Sequence, residues 1–243
     1  MEQTPDHKHA AHGWTTALAG RFLVFEGPDG SGKSTQLRRL VESCSSAGVG
    51  LIEVREPGGT YVGERIREVL LARATGDLSM RCEMLLYMAS RAQLVEEKIA
   101  PALRAGRLVI ADRFVSSTIA YQGAAGGLPI EEIRAVAACA VGGLVPDLVI
   151  IFDVDEVTAR RRMNPLLHAE SGQASVPDPL SAEGAGRVLD RIESRDVEYH
   201  RKVRFGYLEQ ARRDPGRHLV VDASRGPDDV WADLVAGLKD RWG

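Results

Sequence analysis

The residues of this 243-residue chain best suited to chemistry stand together near its start. Gly27-Pro28-Asp29-Gly30-Ser31-Gly32-Lys33-Ser34-Thr35 fits the pattern G-x-x-x-x-G-K-[ST]. Gly27, Gly30 and Gly32 let the backbone turn without a Cβ penalty, so that successive N–H groups converge on phosphate oxygens at the positive end of the helix that follows. Lys33 then reaches the β- and γ-phosphates, and the Ser34 hydroxyl reaches Mg²⁺. A second group lies downstream. Asp112-Arg113 offers a carboxylate able to hold a hydrated Mg²⁺ or merely to cap a helix, beside a guanidinium able to grip phosphate through two hydrogen bonds. Ser116, Ser117, Thr118, Tyr121 and Gln122 follow within one short polar stretch. Tyr87 and Arg91 are four apart and so share a helical face. On spacing alone they are equally well a half-buried aromatic beside a solvated arginine.

The elements that must position these groups read as alternating strands and helices. Phe22-Leu23-Val24-Phe25 is a short apolar strand before the glycine loop, and Leu37, Leu40, Val41 and Cys44 mark one face of the helix after it. Leu51–Val54, Leu108–Ala111, Leu148–Phe152 and Leu219–Val221 read as four further strands. Helical patterns lie between them: one with Ile66, Val69 and Leu70 as its stripe, one over 79–104 that Pro101 kinks or restarts, an alanine-rich one over 130–143, and a last one over about 228–242. The alternation predicts an α/β fold with a parallel sheet. Asp112-Arg113 falls at the carboxyl end of its strand, the edge where open parallel sheets bind ligands. Arg160-Arg161-Arg162 ends a helix that Pro165 interrupts, and 165–186 has neither helical nor strand period. Order resumes at Arg187 and at Asp190-Arg191-Ile192-Glu193.

Composition narrows the class. A net charge of −3 with mixed signs gives no basic footprint for polymeric nucleic acid. No apolar run reaches the ~18 to 20 residues that cross a bilayer, and residues 1–20 lack the apolar core of a signal peptide. Those residues, with His7, His9 and His12 among small and polar neighbours, read as a disordered leader rather than a metal site. Cys44, Cys82 and Cys139 are far apart and form no metal spacing, which predicts buried free thiols and a reducing cytoplasm.

The ordered set formed by the loop at 27–35, Arg55-Glu56-Pro57-Gly58-Gly59-Thr60, Gly63-Glu64-x-x-Arg67, Tyr87-x-x-x-Arg91, Asp112-Arg113, Ala120-Tyr121-Gln122 and Asp190-Arg191-Ile192-Glu193 resembles bacterial thymidylate kinase over residues 21–243. The resemblance implies a P-loop NTPase fold with a five-stranded parallel sheet flanked by helices on both faces. It also implies a nucleoside monophosphate kinase that passes the γ-phosphoryl of ATP to dTMP, with Mg²⁺, as a cytoplasmic homodimer. Carried over, Tyr87 stacks on thymine, Arg91 hydrogen-bonds a base carbonyl, and Thr118 and Gln122, with Ser117 nearby, complete the pocket. Asp29 meets the 3′-hydroxyl and Tyr121 leaves no room for a 2′-hydroxyl. Arg67 and Arg113 hold the acceptor phosphate, and Glu56 and Asp112 sit near the metal and phosphates.

The loop has Pro28, Asp29, Gly30 and Ser31 at its variable positions and no arginine, as in relatives whose lid supplies the catalytic cation. Here that lid, about 159–195, carries an insertion of about twenty residues at 165–186. Arg162 and Arg187 are the expected catalytic arginines, beside Lys33, Arg113 and Asp112. Two other readings fit parts of the pattern: a kinase for another pyrimidine monophosphate, and an ATP-binding module without transferase activity, which has no need of Tyr87, Arg91, Asp112 and Arg113.

Overall fold

Each of the apolar runs becomes a strand, and the order in which they pair decides where the site lies. The structure, a computed structural model, describes residues 13–72, 77–163, 190–192 and 194–243. Strands β1 (Phe22–Glu26), β2 (Leu51–Arg55), β3 (Leu108–Asp112), β4 (Leu148–Asp153) and β5 (His218–Asp222) form one sheet in the order β2-β3-β1-β4-β5. All pairs are parallel, with Phe22 opposite Val109, Leu23 opposite Leu148, Leu51 opposite Leu108 and Val149 opposite His218. β1 is the central strand, and its neighbours β3 and β4 lie on opposite sides. The loop leaving its carboxyl end therefore opens at the point where the sheet's growth reverses, the usual ligand crevice of such sheets.

Side-chain alternation divides the core into two layers. Phe22 and Val24 point to one face with Val109, Ala111, Val149 and Ile151, and Leu23 and Phe25 point to the other with Ile110, Ile150 and Phe152. The second face is covered by α2 (Lys33–Ser46) through Leu37, Leu40 and Cys44, and by the C-terminal helix through Val230, Leu234 and Leu238. Residues 13–20, expected within a leader, pack here instead: Gly13–Thr16 form the short helix α1, and Leu18 is fully buried in the same layer. Residues 1–12, with His7, His9 and His12, lie outside the described residues.

Covering the first face, α3 (Tyr61–Leu71) starts at Thr60, whose hydroxyl caps Gly63 N–H. Its Leu70 is buried, whereas Val69, expected on the same stripe, is exposed. The long pattern of 79–104 is three pieces: α4 (Met80–Leu94), a π-helical turn at Val95–Ile99, and α5 (Ala100–Arg104). Pro101 sits in the first turn of α5, where its missing N–H costs nothing. After β3 come α6 (Val115–Thr118) and a second π-helical stretch, Ile119–Ala125. α7 (Ile130–Val141) then ends at Gly142 in the left-handed conformation, and α8 (Glu156–Met163) follows β4. The sequence reading leaves out α9 (Val197–Arg213) altogether. Its signals are present: Asp196 accepts from Tyr199 N–H at 2.7 Å, and Val203, Tyr207 and Ala211 recur every fourth residue and are buried. The helix packs most heavily on the π-helical stretch of 119–125, so it forms one wall of the site. α10 (Pro227–Trp242) closes the second layer. The insertion at 165–186 and Arg187 lie outside the described residues, and no helix among the described residues is long and apolar enough to cross a membrane.

The cysteines depart from expectation. All three are free, but only Cys44 is buried; Cys82 and Cys139 are exposed. Burial pushes the Cys44 thiol up to about 11, so at pH 8 only about one molecule in a thousand carries its thiolate. Iodoacetamide at pH 8 should modify Cys82 and Cys139 within minutes and leave Cys44 unmodified until urea unfolds the chain. Peptide mass spectrometry reads the order.

Candidate active site

The loop after β1 is shaped by contacts that exclude side chains. Gly27 has φ +139°, and a Cβ there would lie 2.6 Å from the carbonyl oxygen of Phe152 on β4. Gly30, at φ +80°, faces the carbonyl of Ala159 on α8 in the same way. The loop is thus pressed against the neighbouring strand and helix, and its amides have no room to turn away. α2 begins directly after Gly32 with no side-chain cap, so its positive end is left for a ligand. Lys33 is buried and turned back on the loop, its Nζ donating to the carbonyls of Gly27 at 3.2 Å and Pro28 at 3.3 Å. Burial lowers its pKa, and Arg113 lowers it further.

Arg113 stands at the end of β3 with φ +72°, the one non-glycine residue in the left-handed region among the described residues. Such a backbone costs on the order of 1–3 kcal/mol and persists only where its surroundings impose it. The imposing group is Glu26, the last residue of β1 and fully buried. Its Oε1 accepts from Phe114 N–H at 2.9 Å and Ser117 N–H at 3.1 Å, and its Oε2 accepts from the hydroxyls of Ser117 at 2.6 Å and Tyr207 at 3.0 Å. The same two hydroxyl oxygens lie 2.8 Å from each other and accept from Arg113 Nη1 at 3.2 Å and 3.1 Å. Arg113 Nη2 donates to Asp29 of the loop at 2.8 Å, and its guanidinium lies 5.2 Å from the centre of the Tyr121 ring. Burial pushes the Glu26 carboxyl up, and Arg113 is the strongest group opposing that rise.

Beside these groups is a cavity of about 290 Å³ lined by Asp29, Ser34, Asp112, Arg113, Ser117, Thr118, Tyr121 and Gln122, together with Arg55, Glu56, Arg67, Tyr87 and Asp190. Two buried oxygens facing this region have no hydrogen-bond partner, Asp112 Oδ1 and Tyr121 Oη. Arg67 is held by the Pro57 carbonyl at 2.9 Å. Tyr87 is half-buried, and burial together with Glu83 raises its phenol. The cavity therefore brings together arginines, the loop's Asp29 and Ser34, a tyrosine ring, a threonine hydroxyl and a carboxamide. That lining suits a ligand that carries both a phosphate and a flat polar ring.

The thymidylate kinase family profile matches residues 25–174. The chain is 44% identical to the thymidylate kinase of Pelotomaculum thermopropionicum, over 92% of this chain and 94% of that one. It is 40% identical to that of Deinococcus radiodurans, over 91% and 98%. The chain belongs to the thymidylate kinase family. Its fold matches the crystal structure of thymidylate kinase from Ehrlichia chaffeensis with a TM-score of 0.69 at 28% identity, covering 91% of this chain and 99% of that one.

Most of the residues nominated outside the loop line this cavity; Arg91 and Arg162 do not, and Glu56 lines it with its carboxylate already engaged. Arg91 is not on the cavity wall. It is 1% exposed, and its five N–H groups go to Glu56, Thr118, the Phe114 carbonyl and Met88 Sδ, so none is left for a base. Its contact with the cavity runs through Thr118, whose oxygen accepts from Arg91 at 3.2 Å and so keeps its proton to donate. Glu56, nominated for the metal, has both oxygens taken by Arg91 at 2.5–3.1 Å, and burial pushes its carboxyl up to about 7 against the pull of that guanidinium. Arg162 is bound by the carbonyls of Ala223, Ser224 and Arg225 beyond the end of β5. Arg160 reaches the Arg195 carbonyl, and Arg161 is exposed. Arg187 lies outside the described residues.

Among the described residues no three His, Cys, Asp or Glu side chains could cage a metal. The unpartnered Oδ1 of Asp112 and the hydroxyl of Ser34 on the same cavity nevertheless fit Mg²⁺, which takes one or two protein oxygens and completes its shell with water and phosphate. The residues that sequence reasoning misses are Glu26, Tyr207 and Glu83. Glu26 carries a weak signal, an acid closing an apolar strand just before the loop; Tyr207 carries none beyond helical spacing.

Glu56→Ala should strand the Arg91 guanidinium in the core. A loss of about 3–5 kcal/mol in urea unfolding is expected, the usual cost of breaking a buried pair from one side, against little change for the exposed pair partner Glu68→Ala.

Proposed function

We propose that the chain is a thymidylate kinase in activity, passing the γ-phosphoryl group of Mg²⁺-ATP to dTMP to give dTDP, in the cytoplasm. The observation that carries this is the meeting of two phosphate-binding devices: the glycine loop, whose Asp29 and Ser34 line the cavity, and Arg113 on its left-handed backbone, with Arg67 in the same lining. Such a transfer needs little covalent help from the protein. It needs donor and acceptor aligned and the charge spreading over the moving group neutralised.

The residues divide accordingly. Gly27, Pro28, Asp29, Gly30, Ser31, Gly32, Lys33, Ser34 and Thr35 hold the donor's phosphates, chiefly through main-chain amides. Lys33 exchanges its two carbonyl partners for phosphate oxygens, which are stronger acceptors for an ammonium. Arg113 and Arg67 hold the acceptor phosphate, and planar forks suit this better than lysines because they match phosphate oxygens in pairs. Asp29, fixed by Arg113, meets the sugar 3′-hydroxyl, and the unpartnered Tyr121 hydroxyl stands where a 2′-hydroxyl would fall. Tyr87 stacks on the base, while Thr118, primed by Arg91, donates to it and Gln122 reads its edge, with Ser117 below. Mg²⁺, held by Ser34 and Asp112, supplies charge neutralisation between the phosphates. The cation nearest the transfer is Arg113, with Arg162 and Arg187 as lid arginines once Arg162 leaves its carbonyls.

A coupled ADP-release assay across dTMP, dUMP, dCMP, UMP and dGMP tests the reading, with dTMP expected to give the highest kcat/KM. Lys33→Ala should lower kcat on dTMP by about a hundredfold or more, since it removes a preorganised charge from the transferring phosphates. Equal turnover of all five acceptors, or none, would reject the assignment, and a higher kcat/KM for another pyrimidine would reassign it.

The assembly is proposed to be a homodimer, formed by helices that leave Ala135 and Ala138 of α7 and apolar Leu85 of α4 exposed. Sedimentation should give twice the chain mass of 26.4 kDa; a single-chain mass at micromolar concentration would remove this part.

A further inference from the structure

One buried acid has no part in the roles above. Glu83, on α4, is fully buried, one helical turn before Tyr87 and on the same face. It accepts from three side chains that come from two other parts of the chain. Its Oε1 takes Gln122 Nε2 at 2.7 Å, and its Oε2 takes Arg191 Nη2 at 2.6 Å and Arg195 Nη2 at 2.7 Å. Arg191 is pinned further, donating from Nε to the Leu70 carbonyl at 2.9 Å and from its backbone N–H toward Leu71. Arg195 lies 4.4 Å from the centre of the Tyr199 ring and hydrogen-bonds its hydroxyl, which in turn donates to the Tyr121 carbonyl at 2.8 Å.

The groups tied to Glu83 are cavity walls. Leu71, Tyr87, Tyr121, Gln122, Asp190 and Ile192 all line the cavity, and Glu83 touches or neighbours every segment that carries them. An ionised carboxylate only accepts hydrogen bonds. The Gln122 side chain must therefore spend its NH₂ on Glu83, and its carbonyl oxygen is the end left for the cavity. Gln122 is itself 1% exposed, so a flipped amide has no water to turn to and would set two oxygens against each other. Two arginine guanidinium groups face this one carboxylate, at 2.6 Å and 2.7 Å, and each can only donate to it.

We propose that Glu83 is a positioning residue for recognition of the acceptor base: it fixes the polarity of Gln122, so that the pocket presents an acceptor to a ring N–H, and it anchors 190–192 as the pocket's outer wall. This rests on the functional reading above, in which the half of the cavity near Gln122 takes a pyrimidine with an N–H edge.

The test is Glu83→Gln, which keeps the shape and removes the charge. KM for dTMP should rise about tenfold, the loss expected for a hydrogen-bond network anchored on a charge. KM for ATP should stay within about twofold, and the preference for dTMP over dCMP should narrow. Arg195→Ala, which leaves Glu83 its bonds to Gln122 and Arg191, should raise KM for dTMP in the same direction by a smaller factor, and Glu83→Asp should recover part of the loss. A second readout needs no turnover: trypsin cuts after Arg191 and Arg195, followed by mass spectrometry, should be slow in the wild-type chain and faster in Glu83→Gln. Unchanged cleavage together with unchanged KM for dTMP would overturn the proposal. So would an equal rise of both KM values with a lowered melting temperature, which would make Glu83 a general structural acid. If the wild-type chain did not phosphorylate dTMP while cleavage still responded to Glu83→Gln, the functional reading would fall and the anchoring would stand.

Discussion

The site depends on one carboxylate at the end of the central strand. Glu26 is buried without a cation in direct contact, a placement that would ordinarily cost several kcal/mol, and it is made tolerable by four hydrogen bonds from Phe114, Ser117 and Tyr207. Those same bonds decide the rest. They hold the Ser117 and Tyr207 hydroxyls where both oxygens accept from Arg113, so an acid with no direct bond to the guanidinium bears on its direction. The two backbone N–H donors pull the chain after β3 into the turn that gives Arg113 its left-handed φ. Strain at that residue is offset by bonds at its neighbours. A cation held in this way needs little reorganisation when a phosphate arrives, the condition under which electrostatic stabilisation is most effective.

Two more buried acids repeat the device behind other walls. Glu56 fixes Arg91 so that Arg91 can feed Thr118, and Glu83 fixes Gln122 while holding Arg191 and Arg195. In both cases the acid settles the polarity of a donor or acceptor at the cavity, Thr118 through Arg91 and Gln122 directly. A pocket of about 290 Å³ offers little room for water to correct a misdirected side chain. The correction is therefore made in the protein, at the expense of burying charge.

What was legible in the sequence follows from how local each signal is. The loop of 27–35 declares itself because its function is carried by consecutive amides and one lysine, and the five strands do so because each is a short apolar run closed by a turn. Glu26, Tyr207 and Glu83 act through partners 39 to 181 positions away, and no spacing rule reaches that far. Arg91 shows a subtler limit. A four-residue spacing from Tyr87 correctly puts both on one face of α4, yet it says nothing about depth, and only depth distinguishes an arginine that touches a ligand from one that stands behind a threonine. α9 shows the opposite case, with a capped start and a four-residue apolar repeat that were readable but overshadowed by the irregular stretch before it. The thiols were misjudged for a related reason: helical periodicity marks Cys82 and Cys139 as helical without settling which side of the helix meets solvent.

Charge gives the last link between this architecture and catalysis. Lys33 and Arg113 raise each other's electrostatic energy: Lys33 has its pKa lowered first by burial and next by Arg113, against the pull of Asp112, Asp29 and Glu26, and its ammonium donates to two carbonyl oxygens. Asp29 is already paired with Arg113, and Asp112 keeps an oxygen unpartnered. Lys33 thus sits among carbonyls, and the carboxylates that balance it are shared with Arg113. A triphosphate with its divalent ion adds negative charge beside Lys33 and a cation beside Asp112, and a monophosphate adds negative charge beside Arg113 and Arg67. Two anionic ligands also repel each other where their phosphates meet, and that repulsion is the cost the site must offset. Lys33 and Arg113, which repel each other without counter-charge, offset it together, so the phosphates can meet only where both cations reach them.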